Sequence, residues 1–408
     1  MLYRYEKTPE GKLIKKALVY TREEHRINVN DVDGEAVFIT GRLRASGYES
    51  YIVGGAVRDL ILGKKPKDFD IVTGATPAKI KRIFRNSRII GRRFRLVHVF
   101  FGPKIFEVST FRSLKDGHTS NTYGTIEEDV QRRDFSFNAL YYDPGKQVVV
   151  DYVGGMEDIK KKRLKPIIPP ELIFADDPVR MIRAVKYAAA VNFTVPWLLL
   201  RRIKKEAALL EGISPSRLTE EMTKIIRSPR AAAIVESLED AGVYGYLQKE
   251  ASALLRRDAA FRKSYLANLE GAARAGGGDS PEARSLELLN LAALLRDYLE
   301  RTVSWDQLRE GTKEEYRAVF FDARRFLLPV NLPRTELEKA VRLVFAEHGI
   351  DLKRIRLFDR ERKRRPAPAS VPHHKPAAEV RPPAEEGPEA ARPRRRRRRR
   401  RRPGSPPQ

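Results

Sequence analysis

Residues 51–73, YIVGGAVRDLILGKKPKDFDIVT, decide how the rest of the chain is read. Tyr51–Val53 is an apolar run of strand length, closed by Gly54-Gly55. Ala56–Leu62 has helical spacing, and Gly63 suits the position just past a helix end. Lys64–Lys67, with Pro66 inside it, is a turn, and Phe69–Thr73 is the next strand. Gly54 and Gly55 let a backbone approach a phosphate and present N–H groups at a helix start. Asp68 and Asp70 stand at i, i+2, which on a strand puts both carboxylates on one face. Adjacent carboxylates repel unless a cation lies between them, and hard oxygens of this kind take Mg²⁺ together with substrate phosphates. Taken singly, a Gly-Gly is an ordinary turn and an Asp-x-Asp an ordinary solvated strand end. Taken together in a strand–helix–strand setting, they point to phosphoryl transfer assisted by two metal ions.

The segments GGAVRD and KDFDIVTGATP, residues 54–59 and 67–77, resemble the head of the class II nucleotidyltransferases. That family holds the CCA-adding enzymes and the bacterial poly(A) polymerases. The resemblance covers residues 20–230 and weakens beyond. It implies that Asp68 and Asp70 hold two Mg²⁺ ions and that Gly54, Gly55 and Arg58 cradle phosphates.

Outward from this stretch, residues 1–33 are polar and charged and read as an arm. Gly34–Tyr48 reads as an amphipathic helix closing at Gly47. Thr76-Pro77 is an N-cap followed by proline, opening a helix over Ala78–Phe84. Two strands are expected over Ile89–Gly102 and Ile105–Phe111. The second, IFEVSTFR, alternates with period 2, and Glu107 is its only acid. Two readings of Glu107 stay open: a solvent-facing edge residue, or a third catalytic carboxylate beside Asp68 and Asp70. In IIGRRFRLVHV, residues 89–99, a basic hairpin edge is expected. Within the resemblance, Gly91-Arg92-Arg93-Phe94 with His98 is similar to the poly(A) polymerase branch. CCA-adding enzymes usually carry a shorter, more neutral pattern there.

Ser113–Asp129 reads as a loop of the kind that moves over a substrate. RRDFSFNALYYD, residues 132–143, is expected to begin a helix at Arg132-Arg133 that packs Phe135, Phe137, Leu140 and Tyr141. The resemblance assigns Arg133, Asp134 and Asn138 to the ribose and triphosphate of an incoming nucleotide. Arginine suits phosphate because its fork gives two parallel charge-assisted bonds. Asp151–Gly155 resembles a flexible glycine-bearing joint between head and neck.

In DDPVRMIRAVKYAAA, residues 176–190, Pro178 makes Asp177 an N-cap, and Arg180 and Arg183 share one helix face. The segment is similar to the family's E-D-x-x-R motif, with Asp176 standing where Glu is usual. The resemblance makes Asp177 and Arg180 the readers of the base edge, acceptor and donor respectively. Residues 213–227 read as a capped helix whose Arg217, Glu220, Glu221 and Lys224 form a solvated charged face; the family has a similar helix, and the resemblance implies that it braces the nucleotide pocket.

The chain carries a formal charge of +26 and no cysteine. Residues 361–408 account for 16 basic and 5 acidic residues, which leaves +15 on residues 1–360. A basic excess spread over the folded part favours a polyanion partner, RNA or DNA before a membrane surface. The lack of cysteine excludes disulfides and zinc–thiolate sites. No apolar leader and no run long enough to span a bilayer is seen, so a cytoplasmic protein is expected. Residues 231–360 are helical in pattern, with no cluster of chemistry-bearing residues. Trp305 and Tyr316 read as packing residues there. The tail, ending in nine arginines at 394–402, cannot bury a core and is expected to contact RNA through its charge.

The expected fold is an α/β nucleotidyltransferase head with a small mixed sheet, then an all-α neck and body and a disordered basic tail. The expected divisions are 1–33 (arm), 34–155 (head), 156–230 (neck), 231–362 (body) and 363–408 (tail). The expected reaction is transfer of AMP from ATP to the 3′-hydroxyl of mRNA or small RNA, with Mg²⁺ as cofactor. A CCA-adding tRNA nucleotidyltransferase is the alternative within the enzymes. An RNA-binding protein with an inactive head is the alternative outside them.

Overall fold

The computed structural model describes residues 2–7, 12–91, 95–113, 122–169, 171–276, 285–352, 355, 357 and 358. Arg92, Arg93 and Phe94, on which the branch reading rests, lie outside the described residues, as does the tail 363–408.

The expected α/β head is present, and an all-α region follows it. Nine strands among the described residues form one mixed sheet: β1 (Leu2–Lys7), β2 (Leu13–Tyr20), β3 (Ser50–Val53), β4 (Asp70–Thr73), β5 (Ser87–Ile90), β6 (Leu96–Phe101), β7 (Lys104–Thr110), β8 (Leu140–Asp143) and β9 (Val148–Asp151). Their order is β1-β2-β9-β8-β3-β4-β7-β6-β5. Every neighbouring pair is antiparallel except β4 and β7. All four residues of β3 are buried, as expected for the middle of a sheet covered on both faces. On one face Tyr51 and Val53 pack with Val72, Tyr141 and Val150 beneath Ile126 and Val130 of the helix Ile126–Gln131. The helix Gly34–Ala45 contacts β3 and β4 and buries Ala36, Ile39 and Leu43.

This topology sets the reactive end. β3 runs out at Val53, opposite Asp70, the first residue of β4. β7 lies parallel to β4 with Ile71 opposite Val108, so Glu107, midway along β7, stands level with Asp70 at the start of β4.

Three expectations give way. Within the expected arm over residues 1–33, Leu2–Lys7 and Leu13–Tyr20 are paired antiparallel strands, and β2 pairs with β9 through Leu18–Asp151, Val19–Val150 and Tyr20–Val149. Its lysines hid the pattern because an edge hairpin tolerates charge that a central strand does not. The helix expected from Arg132 is a turn: Arg132 ends Ile126–Gln131, Ser136–Asn138 is one 3-10 turn, and Leu140 opens β8. Aromatic Leu-Tyr-Tyr is strand chemistry, and tertiary pairing with β3 and β9 decides it. The joint at Asp151 is pinned: its Oδ1 accepts from the N–H groups of Val153, Gly154 and Gly155 at 2.8–3.0 Å, and Oδ2 from Met156 at 3.0 Å. A Cβ on Gly155 would lie 2.3 Å from the Ser136 carbonyl oxygen, so only glycine fits.

The helical part includes Val179–Val191, Pro215–Ile226, Ala231–Asp240, Ala259–Ala275, Leu286–Thr302, Lys313–Phe326 and Arg334–Glu347. Trp305 stacks on His348 with ring centres 3.8 Å apart, and Tyr316 is buried edge-on to Phe345, so both serve packing. No described helix is long and apolar enough to cross a membrane.

Candidate active site

The strand ends and the first helices after the sheet enclose a cleft of about 600 Å³. Its lining brings together Gly54, Gly55, Asp70, Arg133, Asp134, Asn138, Asp177, Arg180 and Arg183 from sequence positions far apart. Asp68 sits just before β4, in solvent, and Glu107 is likewise exposed, in the middle of β7. Arg58 is buried behind the glycine pair.

The sheet side of the cleft is rich in uncompensated acid. Burial pushes the Asp70 carboxyl up to about 6; the negative charges of Glu107 and Asp68 add to this, and Arg133 partly opposes it. Solvent reaches the Asp70 side chain from the cleft, yet protein packs densely around it. Among the described residues Asp68 and Asp70 have no ion pair. Glu107 has one distant partner, His98 Nε2 at 3.5 Å. Gly54 has φ +73°, and a Cβ there would sit 3.6 Å from Asp70 Oδ2, so glycine leaves the backbone open beside the carboxylate. No group of three or more His, Cys, Asp or Glu set to hold a metal occurs among the described residues. The oxygen donors of Asp68 and Asp70 and their mutual repulsion with Glu107 nonetheless fit a hard divalent cation.

The segment 132–143 supplies another wall of the cleft, with Arg133 and Asn138 on it. Arg133 is held by Asp129 Oδ2 (3.0 Å to Nη2) and by the Tyr141 hydroxyl (2.8 Å to Nε). Burial disfavours its charge, and Tyr141 and Asp129 more than offset that, so its pKa goes up and it stays a cation. Asn138 Oδ1 accepts from Arg58 Nη1 at 3.0 Å, which leaves the amide NH₂ as the group free to donate. Arg58 also bonds Asp59, so its place in the structure is to orient Asn138 from behind.

The helical side is an arginine–aspartate lattice. Asp134 accepts from Arg180 Nε at 2.9 Å and pairs with Arg183 Nη2 at 2.9 Å, so its two oxygens hold both arginines of the next helix. Arg180 also binds Asp176 through Nη1. Asp176, the shorter acid at the usual Glu position, therefore reaches its arginine. Asp177 caps the helix Val179–Val191 through the Val179 N–H at 3.2 Å and takes both oxygens to Arg217 Nη2 at 2.9 and 2.8 Å. Arg183 Nε is buried with no hydrogen-bond partner. A buried donor left open at a cleft wall marks a place for a ligand acceptor.

The charged face expected over 217–224 is partly interior. Glu221 is buried against the buried Lys186, and Arg217 reaches into the cleft wall. Sequence reasoning also passed over Asp129, Arg112, Arg132 and Tyr187, which line the cleft. A signal for Asp129 was present: Thr125-x-x-Glu128 is a capping box, and it starts a helix rather than a loop.

Residues 50–165 match the model for the poly(A) polymerase head domain. Over these residues the chain is similar to the head of the class II nucleotidyltransferases. Residues 192–255 match a model described as the probable RNA and SrmB-binding site of polymerase A. Poly(A) polymerase I of Escherichia coli O157:H7 is 46% identical over 226 residues, 52% of this chain and 49% of that protein. The CCA-adding enzyme of Geobacillus stearothermophilus is 36% identical over 244 residues, 58% and 60% of the two chains. The chain thus spans about half the length of the poly(A) polymerases it matches. Among solved structures, the Bacillus stearothermophilus CCA-adding enzyme in complex with CTP aligns with a TM-score of 0.52 at 29% identity, over 77% of this chain and 82% of that one. The nucleotidyltransferase head and the helical region behind it are therefore a shared framework.

Proposed function

We propose that this chain is a template-independent polynucleotide adenylyltransferase, transferring AMP from ATP to an RNA 3′-hydroxyl with release of pyrophosphate. One observation carries the reading: a single cleft sets Asp70, the carboxylate at the start of β4, against Arg133 and Asn138 on one side and Asp177 and Arg180 on another. Asp68 and Asp70, with Glu107 alongside, are the residues that would hold Mg²⁺, which when bound supplies activation of the 3′-hydroxyl and neutralisation of the departing phosphates. Gly54 and Gly55 line the phosphates' approach. Arg133, fixed as a cation, grips the triphosphate, and Asn138 donates to the sugar. Asp177 accepts from the adenine amine while Arg180 donates to a ring acceptor, both held by partners that leave little freedom to rearrange. The sequence similarity to proteins named poly(A) polymerase I, at 44–46% identity, supports ATP as the nucleotide.

A CCA-adding activity is the second reading, favoured by the likeness to the CTP-bound structure. A labelled RNA 3′ end incubated with Mg²⁺ and each single NTP separates them. One RNA is a generic oligomer and the other a tRNA without its CCA end. Long ladders with ATP alone on both RNAs are expected. Short products restricted to the tRNA and requiring CTP would replace adenylation by CCA addition. No product with any NTP would leave an RNA-binding protein, although such a protein has no need of a cluster of repelling carboxylates. The basic tail, in this proposal, adds salt-sensitive contacts to RNA.

A further inference from the structure

Resting on the reading of the chain as an RNA-extending enzyme, we propose a stacking platform for a single-stranded segment of the RNA outside the cleft. It is the outer face of the helix Trp197–Glu206 joined to the basic run Lys160–Lys165. The helix turns Leu199 and Ile203 inward. Its outer face carries Trp197, 66% exposed, and Leu198, 72% exposed. The Arg201 guanidinium lies over the Trp197 ring, 5.6 Å from its centre. Lys204 and Lys205 follow, both exposed, about two turns beyond Trp197.

The backbone brings the second basic segment to this place. Thr194, three residues before the tryptophan, accepts from the Leu164 N–H at 2.9 Å and donates to the Lys162 carbonyl at 2.8 Å. Several cations in the two segments are already paired: Lys161 with Glu157, Arg163 with Asp158, Arg202 with Glu206. Among the described residues Lys160, Lys162, Lys165, Arg201, Lys204 and Lys205 have no ion pair. The face also adjoins the cleft. Arg202 Nη2 donates to the Glu171 carbonyl at 3.1 Å, two residues before the helical turn Ile173–Asp176 that carries Asp176 into the cleft lining.

Charge and shape select the occupant. An exposed tryptophan costs solvation unless something flat covers it, and unpaired cations around it call for an anion of repeating charge. A single-stranded polynucleotide meets both demands, its bases on the ring and its phosphates on the lysines. A membrane-surface helix would present its long apolar stripe outward, whereas here the stripe is buried. The platform narrows the matched segment 192–255 to one face and adds a basic run outside it.

The test is binding of a labelled oligoadenylate to the full-length chain in EDTA, at several salt concentrations. Trp197→Ala is expected to weaken binding about tenfold at every salt concentration, because stacking is not screened, and Trp197→Phe to restore most of it. Lys204→Ala combined with Lys205→Ala is expected to reduce the salt slope by about 1.4. In a Trp305→Phe background Trp197 is the only tryptophan, and its fluorescence is expected to be quenched on binding. Affinity within twofold of wild type for Trp197→Ala, with an unchanged salt slope for the lysine pair, would overturn the platform. So would a Trp197-dependent binding to phosphatidylserine vesicles with oligoadenylate binding intact. The reading of the reaction is judged separately. A wild type that binds through Trp197 yet extends no RNA with any NTP sinks the adenylation alone.

Discussion

On the sheet side of the cleft, Asp70 stands beside Glu107 and Asp68 with no ion pair among the described residues. On the helical side, Asp134, Asp176 and Asp177 are each bound to an arginine. Both sides present carboxylates to the same space, yet the first leaves its charge unanswered and the second answers it internally. The difference teaches how to tell a binding charge from a building charge. An acid whose partner is already in the fold supplies geometry, and one whose partner is missing supplies a place for a cation. The largest expected effect breaks the comparison at Asp70. Asp70→Asn is expected to lower the rate of nucleotide addition by about a thousandfold or more, since several kcal/mol of charge stabilisation goes with the carboxylate. RNA affinity is expected to stay within twofold. Retention of a tenth of the activity would remove Asp70 from the reacting centre.

The same comparison predicts the opposite pattern at Asp134. Asp134→Ala leaves Arg180, buried, and Arg183, partly buried, without their shared anion. Breaking such a pair costs roughly 3–5 kcal/mol. Urea unfolding is expected to show a loss of about that size, well above anything seen at Asp70. An Asp134→Ala protein as stable as wild type, with impaired nucleotide binding only, would move Asp134 from the framework to the ligand.

How much of this was legible beforehand follows the same division. The acid pair and the glycine pair are local signals, singled out by residue type and spacing within a dozen positions, whereas Arg133 was singled out through the resemblance. The helix start at Asp177-Pro178 is local too, and its capping bond is found. The lattice is not local. That Asp134 binds Arg180 across 46 positions, or that Arg217 reaches Asp177 across 40, depends on how two elements pack, and no periodicity encodes it. The N-terminal hairpin was missed because edge strands carry the lysines that mark an arm. The turn at 132–143 was missed because its aromatic spacing suits a helix and a strand alike, and pairing with β3 decides between them. Trp197 was missed because a lone aromatic ahead of a basic run reads as ordinary core until its exposure is known.

Arg217 sharpens the comparison within the helical side. It touches the base reader and not, in this proposal, the base. Arg217→Ala is expected to free Asp177 and reduce the ATP-over-CTP preference by about tenfold, within the range of one well-placed polar contact to a base. Overall ATP turnover is expected to fall less than the preference does. The ratio of kcat/KM values for the two nucleotides reads it. An unchanged ratio with a raised KM for both would mean that Arg217 binds phosphate and that Asp177 needs no support.

The smallest effect is a matter of pH and metal. The Asp70 carboxyl is held up to about 6 in the fold by burial and by its acidic neighbours, against about 3.9 in an unfolded chain. Between those values the folded state binds the proton and the unfolded state does not, so this group adds stability as pH falls and withdraws it as pH rises through 6. In EDTA at pH 8 the ionised carboxylate therefore works against the fold, and Asp70→Asn, which cannot ionise, is expected to melt above wild type. As pH falls through 6 the gap is expected to narrow, and below about 3.9, where the carboxyl is protonated in both states, to close. Mg²⁺ at pH 8 is expected to raise the wild-type Tm and to leave the Asn variant nearly unmoved, because only the carboxylate gives the ion its site. Equal melting of the two proteins at pH 8, with or without Mg²⁺, would mean that solvent in the open cleft screens the three acids from one another. The contrast between the two sides of the cleft would then rest on packing alone.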